Sequence, residues 1–121
     1  MYKVLIDTNV MLRYLLDDNE DMALIAEHVI DGGAWTSPVY LAEFVYVLEG
    51  VYGLSRKDIH AALGIISHEV ELRPALTERA VKEYGETNLD FADCMMLAYA
   101  SAGERTFTFD KGINKRLSAA K

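Results

Sequence analysis

Cysteine and proline are scarce in this 121-residue chain, and long apolar runs are missing from it. The one cysteine, Cys94, cannot form an internal disulfide, which suits a reducing cytoplasm. Only two prolines and a mean hydropathy near zero argue against a disordered or Pro-rich tail. No apolar stretch reaches the roughly 18 residues of a transmembrane helix, so no membrane partner is expected. The opening Tyr2-Lys3-Val4-Leu5-Ile6 runs straight into a carboxylate, Asp7, and no small-residue cleavage site follows. A signal peptide is therefore not expected. The 51% hydrophobic content is enough to fill one core, and a single domain over residues 1–121 is the expectation.

Positive charge is also in short supply, with a formal net charge of −7. A nucleic-acid partner normally recruits Lys and Arg to its phosphates, so composition alone leans slightly against one. The shortage is uneven. Residues 1–60 carry 4 basic and 10 acidic side chains, whereas residues 61–121 carry 8 and 9. From Arg105 to Lys121 five basic residues face a single acid, Asp110, so phosphate contacts should favour that end.

Apolar periodicity sets out alternating strands and helices. Lys3-Val4-Leu5-Ile6, Ala34-Trp35-Thr36, Val70-Glu71-Leu72 and Arg105 to Phe109 read as strands. Helices are expected over Val10 to Leu16, Glu20 to Ile30, Pro38 to about Tyr52, Ser55 to about Ser67, Thr77 to Tyr84, Ala92 to Ala102 and Lys111 to Ala119. The second should bury Met22, Ile25, Ala26, Val29 and Ile30. Ser37-Pro38 places cap and proline in the favoured order, and Ser55 opens a capping-box-like start. Strands separated by helices imply a three-layer α/β/α sandwich around a short central parallel sheet.

Four carboxylates stand out against that frame. Val4-Leu5-Ile6-Asp7 and Phe107-Thr108-Phe109-Asp110 both end a strand in Asp, and ligands of open parallel sheets bind beyond such ends. Each Asp is equally explained as the cap of the helix that follows. Glu43 sits in the most apolar helix, Val39 to Leu48, where burying an unpaired carboxylate costs several kcal/mol. It must be exposed, paired or bound to a cation. Asp93 follows Asp90 by three residues, so a capping box competes with a site role. Like charges 4 Å apart repel by roughly 4 kcal/mol at an effective dielectric of about 20. Raised pKa values or a hard divalent cation would relieve such a cluster. No His/Cys cluster offers a zinc site, so Mg²⁺ or Mn²⁺ is the natural ion, and phosphodiester hydrolysis the chemistry it suits.

At these residues the chain resembles the PIN-domain proteins, and specifically VapC-like toxin ribonucleases. The resemblance rests on Leu5-Ile6-Asp7-Thr8-Asn9-Val10-Met11-Leu12-Arg13, on Ser37-Pro38-Val39-Tyr40-Leu41-Ala42-Glu43, on Asp90-Phe91-Ala92-Asp93 and on Thr106-Phe107-Thr108-Phe109-Asp110-Lys111, in the family's order. It implies Mg²⁺- or Mn²⁺-dependent endoribonuclease activity, homodimerisation and neutralisation by a cognate VapB-like antitoxin. It carries metal and catalytic roles onto Asp7, Glu43, Asp93 and Asp110, with Asp90 as a further metal candidate. Thr8, Asn9 and Thr108 become supporting residues. Arg13, Lys111, Lys115 and Arg116 are the candidates for substrate phosphates. One departure is visible: family members commonly carry a further short strand after the last helix, and Leu117 to Lys121 has no apolar run to form it.

Two other readings compete. A PIN-fold module that binds RNA or protein without catalysis would share the fold, but retention of all four acids argues against it. A metal-dependent phosphotransfer domain of the haloacid-dehalogenase kind wants a second Asp two positions after the first, where this chain has Asn9. His28, His60 and His68 lack metal-ligand spacing and read as surface residues. Cys94 reads as a buried inert thiol, and Met95 and Met96 as core. Tyr40, Tyr46 and Tyr52 fit a dimer face or the core equally well.

Overall fold

The computed structural model describes residues 2–16 and 18–120, with side chains to residue 118. Met1, Asp17 and Lys121, which the single-domain expectation includes, lie outside the described residues. Four strands, β1 (Val4–Ile6), β2 (Ala34–Thr36), β3 (Glu71–Leu72) and β4 (Thr106–Phe107), form one sheet in the order β3-β2-β1-β4. Every pairing is parallel: Val4 lies beside Ala34, Trp35 beside Glu71, and Ile6 beside Phe107. Parallel neighbours need crossover connections, and the helices supply them. They are α1 (Thr8–Leu15), α2 (Glu20–Asp31), α3 (Pro38–Gly50), α4 (Arg56–Glu69), α5 (Thr77–Glu86), α6 (Phe91–Ser101) and α7 (Lys111–Ala120). The α/β sandwich expected from the sequence is the observed architecture.

The core follows from the strands' composition. Leu5, Ile6, Ala34 and Trp35 are buried, as strands covered on both faces require. Around them pack Met11, Tyr40, Phe44, Leu48, Ile66, Met95, Met96 and Tyr99. On α2 one expectation fails: Ile25 is exposed and Ala23 is buried in its stead. The buried row there runs through Ala23, Ala26 and Ile30, which meets neighbouring elements with small side chains at two of its three positions.

The chain steps outward from β1 through β2 to β3, then returns to the other side of β1 to lay down β4. Strand order therefore reverses at the β1–β4 pair, which is where a crevice opens beyond the strands' carboxyl ends in sheets of this kind. β4 stops sooner than its sequence suggests. The Thr108 hydroxyl accepts from the Asp110 N–H at 3.2 Å, and Asn114 Nδ2 donates to the Thr108 carbonyl at 2.9 Å. This local bonding offers the backbone an alternative to the ladder. Asp110 thus sits three residues past the strand.

At the end of β1 the buried Thr36 hydroxyl donates to the Ile6 carbonyl at 2.8 Å. Replacing Thr36 by Val keeps the β-branched shape and orphans that carbonyl. Urea unfolding should show a loss of about 1–3 kcal/mol. A change under roughly 0.5 kcal/mol, the range of ordinary surface substitutions, would mean the bond contributes nothing to holding the strand end.

Candidate active site

Asp7 answers to both readings of a strand-end Asp. One carboxylate oxygen caps α1, accepting from the Val10 N–H at 3.2 Å. The other accepts from the Thr108 hydroxyl, which the β1–β4 register brings alongside. Burial pushes the Asp7 pKa up, the bonds from Thr108, Val10 and Asn9 oppose that rise, and the Asp110 charge adds to it.

Asp7, Thr8, Asn9, Tyr40, Glu43, Asp90, Ala92 and Asp93 line one small cleft of about 90 Å³. A cleft of this size has room for an ion with some of its water. Its walls are the N-terminal parts of α1, α3 and α6. Asp90 caps α6 by accepting from the Asp93 N–H at 2.8 Å. Among the described residues no side-chain bond returns from Asp93 to the Asp90 backbone, so the capping box is only half made. Burial, and then the Asp90, Asp110 and Asp7 charges, push Asp93 up to about 7. Glu43 is raised by burial first, then by Asp90 and Asp7.

The other site residues sit in varied settings. Glu43 is exposed, on the same open side of α3 as Ala42, Tyr46 and Glu49. Its helix is apolar in composition, yet that side is left to solvent, so Glu43 escapes the cost of full burial. Asp110 is exposed and does not line the cleft. It caps α7 through the Ile113 N–H at 2.9 Å, and its charge reaches Asp7 and Asp93 from outside. Thr8 is turned away from the carboxylates and donates to the Tyr40 carbonyl at 2.9 Å. Arg13 is already paired with Asp18 at 2.6 Å and donates to Asn9 at 3.3 Å, which makes it a poor phosphate contact. Lys111, Lys115 and Arg116 are exposed on α7, and none forms an ion pair among the described residues.

The acids do not close into a cage. Among the described residues no three His, Cys, Asp or Glu side chains come together closely enough to hold one ion. Caps engage Asp7, Asp90 and Asp110, whereas the Asp93 carboxyl meets that of Asp90 side chain to side chain. All the donors are hard oxygens. Such a set fits a Mg²⁺-type ion, which keeps most of its water and takes one or two carboxylates. It does not fit zinc, which wants a tetrahedral nitrogen and sulfur set.

Sequence reasoning left Tyr40 undecided between core and surface. It is 2% exposed, lines the cleft, and its hydroxyl donates to the Ala92 carbonyl. Burial and the neighbouring Asp7, Asp93 and Glu43 push its pKa up, so the hydroxyl keeps its proton. The signal was its spacing: Tyr40 lies three residues before Glu43, one helical turn away on the same side. The three histidines are exposed, and Cys94, Met95 and Met96 are buried, as their sequence contexts indicate.

The family model described as PIN domain matches residues 4–116, a span that holds all four strands and every residue of the cleft. No curated protein matches the chain.

The raised Asp93 pKa has a signed consequence for stability. Asp in an unfolded chain titrates near 3.9. Between about pH 4 and 7 the folded state therefore binds more protons than the unfolded one, and this contribution falls as pH rises. In the presence of chelator, Asp93→Asn should be more stable than wild type at pH 8, with the advantage vanishing towards pH 4. Thermal melts across that range measure it. A stability difference that does not change with pH would contradict the assignment.

Proposed function

This chain belongs to the PIN-domain family, whose members are generally metal-dependent nucleases, and we propose that it is a Mg²⁺- or Mn²⁺-dependent endoribonuclease acting as the toxin of a toxin–antitoxin pair. The observation that carries the reading is the convergence on one cleft of Asp7 from the end of β1, Glu43 from α3 and Asp93 from α6. One or two of Asp7, Glu43 and Asp93 would hold a largely hydrated ion, with Asp90 at the rim. When bound, a divalent cation supplies charge neutralisation and polarises water and phosphate oxygens.

The protein's own groups account for the remaining requirements. Thr108 fixes one oxygen of Asp7, leaving that carboxylate oriented before any ligand arrives. Asp110 adds negative potential from the start of α7. Lys111, Lys115 and Arg116 give the same helix an exposed basic surface on which RNA phosphates can rest beside the cleft. RNA can lie across the mouth of the cleft with its scissile phosphate presented to the acids.

A homodimer, a VapB-like antitoxin, a cytoplasmic setting and a single domain over residues 1–121 complete the proposal. They rest on the sequence resemblance and composition. An exposed Tyr46, 81% accessible on α3, supports an interface there. Among the described residues no helix is long and apolar enough to cross a membrane. The open arrangement of the acids favours one competing reading, a PIN-fold module that binds RNA without cleaving it.

Cleavage of structured RNA in Mg²⁺ or Mn²⁺ separates the two. Asp7→Asn should cut the rate by about a hundredfold or more, as loss of one preorganised electrostatic contact does. Equal rates in wild type and variant would remove Asp7 from the chemistry, and tight RNA binding without turnover in either metal would favour the idle module. A Mn²⁺ concentration a hundred times its Kd should also stabilise the wild type by about 2.7 kcal/mol. An unmoved melting temperature would count against a metal site.

A further inference from the structure

We propose that Tyr40 is a positioning residue that sets the separation of Asp7, Glu43 and Asp93. The inference rests on the metal-nuclease reading and names a part of the machinery that carries no carboxylate. Tyr40 sits where the three acid-bearing segments meet. Its carbonyl accepts from the Thr8 hydroxyl, and Thr8 directly follows Asp7. Its hydroxyl donates to the carbonyl of Ala92, which directly precedes Asp93. Its own helix carries Glu43 one turn further on. One buried residue thereby ties α1, α3 and α6 together at the positions adjoining the acids.

The packing around these helices gives the tie its importance. α3 packs against α1 and α4, whereas α6 packs against α5 and α7, and no comparably extensive packing joins α3 to α6. The two helices share the apolar core, and the Tyr40 hydroxyl makes a side-chain hydrogen bond that crosses between them beside the acids. That bond adds direction to the packing where the Glu43 and Asp93 walls face each other. Phenylalanine at this position would keep the ring in the core and remove that bond.

Tyr99 supplies a matched control. It lies on α6, is equally buried, and its hydroxyl donates to the Pro74 carbonyl at 2.6 Å and accepts from the Leu76 N–H at 3.0 Å, on a segment that does not line the cleft. Calorimetric titration with Mn²⁺ should show Tyr40→Phe binding roughly tenfold more weakly than wild type, the size expected when a residue that orients ligands is lost. RNA cleavage by Tyr40→Phe should recover as Mn²⁺ is raised to saturation. Tyr99→Phe should bind Mn²⁺ as wild type does. If Tyr40→Phe does not fold, Thr8→Val cuts the other tie and should weaken Mn²⁺ binding in the same direction. Wild-type affinity in a folded Tyr40→Phe, or an equal loss in Tyr99→Phe, would overturn the positioning role alone. A wild-type protein that binds no Mn²⁺ would overturn both this role and the metal-nuclease reading.

Discussion

Mutual repulsion among carboxylates is the constraint around which the rest of this molecule is arranged. Asp7, Glu43, Asp90 and Asp93 open onto one cleft, with Asp110 close enough to be felt by two of them. Helix N-termini relieve part of the strain. Asp7, Asp90 and Asp110 each cap a helix, and a carboxylate so placed gains roughly 0.3–1 kcal/mol from the dipole. A like-charge contact at 4 Å costs several times that at an intermediate dielectric. The caps therefore cannot offset close approach, and the acids stay apart, partly protonated at Asp93, with no three of them grouped among the described residues.

Keeping mutually repelling groups near one another demands a rigid frame. The parallel sheet provides it at β1, where Leu5 and Ile6 are fully buried and Asp7 emerges at the strand end. The reversal of strand order places Thr108 beside Asp7, so a hydroxyl from the last strand holds a carboxylate from the first, 101 residues away in sequence. The helices hold the remaining acids less directly. Tyr40, buried between them, bonds to both α1 and α6 beside the acids.

Much of this was legible in the residues. Alternating apolar strands and helices gave the α/β sandwich, and Ser37-Pro38 and Ser55 marked two helix starts to the residue. Asp7 was readable because a buried strand ending in a carboxylate has few explanations. Glu43 stayed open between exposure, pairing and a cation, because an apolar helix does not reveal which side solvent will reach until its packing partners are known. Asp110 was misplaced because Thr106 to Phe109 looks like continuous strand, and only the Thr108 side-chain bonds end it early. Tyr40 escaped notice because its role lies in two hydrogen bonds between segments 32 and 52 residues apart. Its spacing from Glu43 hints at a shared side of the helix, but the two partners themselves leave no local pattern. Arg13 likewise has a partner that its sequence context did not single out, Asp18, five residues on.

The most direct test is the Asp93 carboxyl itself, followed by carbon NMR through a pH titration with and without Mg²⁺. Burial in the cleft first, and then crowding by Asp90, Asp110 and Asp7, predicts titration near pH 7 in chelator. Saturating Mg²⁺ should lower it by about one unit or more, as a nearby cation favours the charged form. Titration near 4 that Mg²⁺ leaves unmoved would contradict both the crowding and the shared cation on which the account depends.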